Sequence, residues 1–178
     1  VSYIKNRENL LSHGNVNLRK VAFDIVDHAL AKADPYKAVK ELVHLRGDLL
    51  TIGEIRLDLK KQGRIFLLGT GKATYPIARA LEEILGERIE DGVIICKYGQ
   101  EGTLARSRLF FSSHPIPDEA GFRAAREALA LAQKTRSGDI VFAGITGGSS
   151  ALMPYPVESV TLDEKKQVNK LLLTCGAN

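Results

Sequence analysis

The chain has 178 residues, 44% of them hydrophobic and 26% charged with both signs interspersed, and a formal charge of +4. That is enough chain for one cored domain and hardly enough for two. The small positive excess suits a phosphorylated or carboxylate ligand. With only 6% aromatic residues and no basic stripe it argues against nucleic acid.

Cys96 and Cys175 are the only cysteines, and both fall on apolar patterns, so both are expected to be buried small hydrophobes. Their separation fits neither a disulfide framework nor a zinc site and points to a reducing compartment. No apolar run approaches the roughly 18 residues that span a bilayer, and no signal peptide opens the chain. The expected location is the cytoplasm. Residues 1–17 are expected to be a lead-in. The chain starts at Val1 and stops at Gly176-Ala177-Asn178, directly after a helical pattern, so it is expected to be a piece of a longer protein.

In chain order, the spacing of Leu18, Val21, Ala22, Ile25 and Ala29 predicts a helix over 18–32 with that face inward. Asp34-Pro35 is an N-cap with proline at the first helical position, predicting a second helix to about Leu45. Leu49 to Ile52 reads as a short strand or an extended linker. From there a strand–helix rhythm sets in. Ile65 to Leu68 is a short apolar run closed by Gly69-Thr70-Gly71, and a helix follows over about 72–85. Val93–Cys96 and Leu109–Ser112 read as the next strands. Asp118 opens a helix to about Lys134 with a stripe of Phe122, Ala125, Leu129 and Ala132, and Ile140–Ile145 is a fourth strand. Thr161 and Glu164 form a capping box for a last helix bearing Val168, Leu171, Leu172 and Cys175, with Gly176 as its stop. Apolar runs alternating with amphipathic helices predict a doubly wound α/β sandwich, its mostly parallel sheet covered on both faces.

In such a sheet ligands bind beyond the carboxyl ends of the strands, and four segments lie there. Gly69-Thr70-Gly71-Lys72-Ala73 joins a buried strand to a helix, where glycines permit a tight turn and a helix N-terminus presents N–H groups to an anion. It is not a Walker A loop, because Ala73 replaces the metal-binding hydroxyl. Nor is it a full dinucleotide fingerprint: Thr74 takes the third glycine's place, and the next strand ends in Lys97 rather than an acid. Thr146-Gly147-Gly148-Ser149-Ser150 is a second expected phosphate or carboxylate cradle. His114, in the stiff Ser113-His114-Pro115-Ile116-Pro117-Asp118 loop, and Lys97, in Lys97-Tyr98-Gly99, are candidate anion contacts. No Ser-His-Asp signature or nucleophile elbow is present, and no residue set identifies a metal site.

Together Gly69-Thr70-Gly71-Lys72-Ala73, Lys97-Tyr98-Gly99, His114-Pro115-Ile116-Pro117-Asp118-Glu119-Ala120-Gly121 and Thr146-Gly147-Gly148-Ser149-Ser150-Ala151-Leu152 resemble the N-terminal domain of the glycerate 2-kinase family, some of whose members are called hydroxypyruvate reductases. The likeness runs from about Leu18 to the end of the chain. It implies a Rossmann-like three-layer domain with the N-terminal helices packed against the sheet, and a smaller C-terminal domain across an active-site cleft. It also implies ATP- and Mg²⁺-dependent phosphorylation of D-glycerate to 2-phosphoglycerate, with Lys72 as the active-site lysine. Implied partners are a hydroxy acid, a nucleotide and the C-terminal domain; a homodimer is a further expectation.

Thr146 and Ser149 stand where many members carry Ser and Gly, and the family's Asn-x-Val-Arg-Lys-His stretch has no counterpart here. Residues 1–178 alone are therefore expected to bind without turnover. Two other readings compete. One is an NAD(P)H-dependent hydroxypyruvate reductase. The other is a sugar-phosphate-binding module of the sugar-isomerase type, which leaves the His114-Pro115-Ile116-Pro117-Asp118 loop unexplained.

Overall fold

The computed structural model describes residues 2–100 and 102–176. Its N-terminal part begins with α1 (Arg7–Leu11), a short helix inside the expected lead-in. α2 (Val16–Lys32) follows, its first turn capped by the Asn15 side chain accepting from Leu18 N–H. α3 (Pro35–Leu42) starts as the sequence predicts, with Asp34 accepting from the N–H groups of Tyr36 and Lys37. It stops three residues short of Leu45, because Val43 already belongs to a strand.

β1 (Val43–Arg46), β2 (Leu49–Ile52) and β3 (Ile55–Asp58) form an antiparallel meander, turning at Gly47 and Gly53 with positive φ. Burial of Val43 and Leu50 against Leu81 and Leu85 holds it to the main body. The alternation Val43-His44-Leu45-Arg46 carried that strand, but the helical start at Pro35 masked it.

The main body contains β4 (Ile65–Thr70), α4 (Thr74–Leu85), β5 (Ile89–Lys97), β6 (Arg108–Ser112), α5 (Glu119–Lys134), β7 (Ile140–Ile145), α6 (Ser149–Leu152) and α7 (Leu162–Cys175). The four strands form one sheet in the order β6-β5-β4-β7, every pair parallel. α4 covers one face, with Ala78, Leu81 and Leu85 packed on Ile65, Leu67, Ile94 and Cys96. α5 and α6 cover the other, where Ala124, Ala128, Leu131 and Leu152 meet Phe66, Val93 and Ile95. This is the expected three-layer α/β architecture.

Several expected contacts are placed differently. α5 turns Gly121, Ala124, Ala125, Ala128 and Leu131 to the sheet, while Leu129 and Ala132 of the predicted stripe face outward. Small residues let this helix lie close: a Cβ on Gly121 would stand 2.8 Å from Leu152 O. β7 is covered on one face only, so Val141 and Ile145 are exposed. Among the N-terminal helices, α3 packs on α4 and β1, whereas α2 lies along α1 with Leu18, Val21 and Ile25 exposed. On α7, Val168, Leu171 and Leu172 are also exposed, and so is Cys175; only Cys96 is buried as expected. Periodicity announces an apolar face without saying what covers it. The expected terminus at Ala177 and Asn178 lies outside the described residues.

The entry ends of β4 and β7 are joined by one carboxylate. Asp139 accepts from Arg64 N–H at 2.8 Å, from the Arg64 guanidinium at 2.7 Å and from Arg136 N–H at 2.9 Å. These bonds, the Arg64 side-chain bond foremost, hold the Asp139 carboxyl down at about 2. A carboxyl lowered in the folded state contributes stability that is complete above its ordinary value near ~4 and is lost as pH falls through the folded value. Asp139→Asn should therefore lower the thermal midpoint at pH 6. The gap from the unaltered protein should close as pH drops from about 4 towards about 2, as read by circular dichroism melts across that range.

Candidate functional site

At the carboxyl ends of β4, β5 and β7 three loops are laced together by main-chain bonds. Gly71 N–H donates to Ile95 O at 3.2 Å, Thr146 N–H to Thr70 O at 2.9 Å and Lys72 N–H to Gly147 O at 3.0 Å. Ala73 N–H donates to Thr146 Oγ1 at 3.1 Å. Ser149 Oγ lies 2.9 Å from Thr70 O and 2.6 Å from Thr146 O, sharing its one proton between them. Such closeness leaves no room for a side chain at the turn. A Cβ on Gly71, whose φ is +123°, would fall 2.0 Å from Thr146 Oγ1 and 2.6 Å from Thr146 O. One on Gly69 would fall 2.3 Å from Thr74 Oγ1.

The first loop therefore differs from its expected role. The N–H groups of Gly71, Lys72 and Ala73, predicted to face an anion, are already bonded within the protein. Gly69, Thr70 and Gly71 are buried, and the Thr70 hydroxyl has no hydrogen-bond partner among the described residues. Likewise the Thr146 and Ser149 hydroxyls bind neighbouring loops. These residues form the floor of the site and aim what lies above it.

Above the floor, the structure brings together Lys72, Lys97, His114 and the second glycine pair. Lys72 and Lys97 are exposed and His114 is half-buried. A Cβ placed on Gly148 would lie 2.7 Å from His114 Cδ2, 2.8 Å from His114 Nε2 and 3.5 Å from Lys72 Cγ; one on Gly147 would lie 3.8 Å from Lys72 Cε. The imidazole and the lysine stem thus both rest on the bare Gly147-Gly148 turn. Burial, then the cations of Lys72 and Lys97, push the His114 pKa below its ordinary value. Among the described residues Gly147, Gly148 and Ser150 carry main-chain N–H groups without a partner. The patch offers cations and hydrogen-bond donors to an anion.

Two flanking residues escaped the sequence reading. Tyr98 OH donates to Asp118 Oδ2 at 3.0 Å while Asp118 Oδ1 caps Gly121 N–H at 2.8 Å, tying the β5 loop to the start of α5. Gln100 spans two loops, donating to Lys72 O at 2.7 Å and accepting from Lys97 N–H at 3.2 Å. A polar residue on either side of a turn glycine is too common a pattern to have revealed either role. A groove of about 700 Å³ lies apart, lined by Phe122, Tyr155, Val157 and Leu162 among others. No group of three or more His, Cys, Asp or Glu able to hold a metal ion occurs among the described residues. No helix among them is long and apolar enough to cross a membrane.

Fold and site together define an α/β protein of the Rossmann-like kind, with a cationic patch over laced strand-end loops. The chain belongs to the family described as Domain of unknown function (DUF4147), which matches residues 21–178. It is 38% identical over 162 residues to a glycerate 2-kinase of Pyrococcus horikoshii, covering 91% of this chain and 36% of that protein. It is 30% identical over 177 residues to a putative hydroxypyruvate reductase of Agrobacterium vitis, covering 99% and 37%. The crystal structure of a glycerate kinase from Thermotoga maritima superposes with a TM-score of 0.72 at 32% identity, over 91% of this chain and 36% of that one. The chain thus spans little more than a third of the length of these relatives.

Two outcomes follow from the site geometry. In an NMR titration of the imidazole, Lys72→Ala and Lys97→Ala should each raise the His114 pKa towards its ordinary value, whereas unchanged titration would show that the lysines do not face the ring. Gly148→Ala places a methyl group against that ring at a φ of +95°. It should cost roughly 1–3 kcal/mol of stability, measurable by urea denaturation.

Proposed function

We propose that this chain supplies the phosphate- and acid-binding part of a glycerate kinase, which transfers a phosphoryl group from ATP to the C2 hydroxyl of D-glycerate and yields 2-phosphoglycerate. The observation that carries the reading is the convergence of Lys72 and His114 on the Gly147-Gly148 turn, with Lys97 near enough to act on the same imidazole, in a family whose relatives include proteins named glycerate kinases.

Phosphoryl transfer needs positioning and charge neutralisation more than covalent help from the protein. Lys72 is suited to that work because its main chain is bonded on both sides, N–H to Gly147 O and carbonyl to Gln100, while its ammonium stays exposed. In this reading it neutralises the transferred phosphoryl group or the glycerate carboxylate, and Lys97 adds a second charge. The N–H groups of Gly147, Gly148 and Ser150 bind oxygens of the same anion. His114 donates a hydrogen bond from the opposite side.

ATP, when bound, supplies the phosphoryl group, and the donors of this patch fit its phosphate oxygens. They do not fit Mg²⁺: the patch is cationic, and no metal-binding cluster occurs among the described residues. Residues 1–178 by themselves bind anions without turning them over.

The complete open reading frame that encodes this chain, incubated with ATP, Mg²⁺ and D-glycerate, should give a new phosphomonoester signal in ³¹P NMR, coupled to the C2 proton. Lys72→Ala should reduce its rate of appearance by at least about a hundredfold, the scale of losing one preorganised charge stabiliser. A folded protein that gives no ester, but oxidises NADH in the presence of hydroxypyruvate, would replace this reading with the reductase one.

A further inference from the structure

We propose that Gln100 is a positioning residue of the anion site, holding the main chain of Lys72 and that of Lys97 in a fixed relation; this rests on the reading of the patch as an anion site. Lys97, Tyr98, Gly99 and Gln100 make a tight turn closed by Gln100 N–H donating to Lys97 O at 3.3 Å, with Gly99 at a φ of +82°. The turn folds the Gln100 side chain back under itself. Its amide oxygen accepts from Lys97 N–H at 3.2 Å, and its amide nitrogen donates to the carbonyl of Lys72 at 2.7 Å. Only a carboxamide satisfies both ends, since one partner is a donor and the other an acceptor.

The bond matters because of where it falls. Lys72 lies between Gly71, at the end of β4, and the first turn of α4, and its N–H is held from one side by Gly147 O. Gln100 holds its carbonyl from the other. With both peptide groups fixed, the side chain leaves the backbone in one direction, over the Gly147-Gly148 turn where His114 also rests. Without Gln100 the Lys72-Ala73 peptide is held by a single bond, from Ala73 N–H to Thr146 Oγ1 at 3.1 Å, and the two lysines lose their only direct side-chain link among the described residues. Binding an anion would then have to order that peptide as well, which weakens affinity.

The test uses the 178-residue chain, ¹⁵N-labelled, with inorganic phosphate as the probe and two uncharged variants, Gln100→Leu and Gln100→Met. The unaltered chain should bind phosphate with shifts at Lys72, Gly147, Gly148 and Ser150. Both variants should bind about fivefold or more weakly, with lower amide order parameters at Lys72 and Ala73 before any phosphate is added. A purely structural role would lower the thermal midpoint and leave those amides ordered. Folded variants with unchanged phosphate affinity and unchanged order at Lys72 would overturn the role of Gln100 alone. Absence of phosphate binding by the unaltered chain would overturn the anion-site reading, while the order parameters would still decide whether Gln100 holds the Lys72 peptide.

Discussion

The parallel register of β4 with its two neighbours is the constraint on which the site depends. Gly69 sits opposite Ile94 and Gly144, and Thr70 opposite Ile95 and Ile145. β4 and β7 therefore end at one level, beside β5, which runs on to Lys97, and the backbone beyond β4 and β7 meets its neighbours before solvent does. The bonds from Gly71 to Ile95, from Thr146 to Thr70 and from Lys72 to Gly147 continue the sheet's lacing past its last paired residues. Glycine at 69 and 71 is what permits such approach. Larger side chains at either position would push apart the loops that set the direction of Lys72.

That arrangement changes how the Gly-rich turn contributes. A helix N-terminus attracts anions when its first N–H groups are free and its dipole is unopposed. Here the N–H groups entering α4 are consumed by carbonyl and hydroxyl oxygens of the neighbouring loop. What the site leaves exposed instead is side-chain charge, on Lys72 and Lys97. Burial foremost, and then the ammonium groups of Lys72 and Lys97, hold the His114 pKa below its ordinary value.

Much of the architecture was legible from local pattern. The strands from Ile65 and Ile140, the Asp34-Pro35 helix start, the Asp118 cap and the Thr161–Glu164 capping box all appear where periodicity and cap chemistry put them. These signals rest on neighbours within a few residues, so they survive in the bare sequence. In the meander from Val43 to Asp58, β2 falls on the Leu49–Ile52 stretch read as a short strand or a linker, while β1 and β3 were missed, because they are short and only long-range burial distinguishes them from a helix tail and a linker. The faces of α2, α5 and α7 were misjudged for a related reason: helical spacing identifies an apolar stripe, but the partner that covers it lies elsewhere in the chain or beyond it.

By itself, the sequence determined the element types, the places where strands hand over to loops, and the set of residues that can carry anion chemistry: Lys72, Lys97, His114 and two glycine turns. Each is a property of residue type and near-neighbour spacing. Only the tertiary structure decided which of those groups remain exposed and which are used within the protein. It turned the Gly71 to Ala73 amides and the Thr146 and Ser149 hydroxyls inward as scaffolding, set His114 against Gly148, and recruited Gln100 between the two lysines. A hydrogen-bonding group spends its capacity on whichever partner the fold brings nearest, and that partner stood up to 79 residues away in the chain.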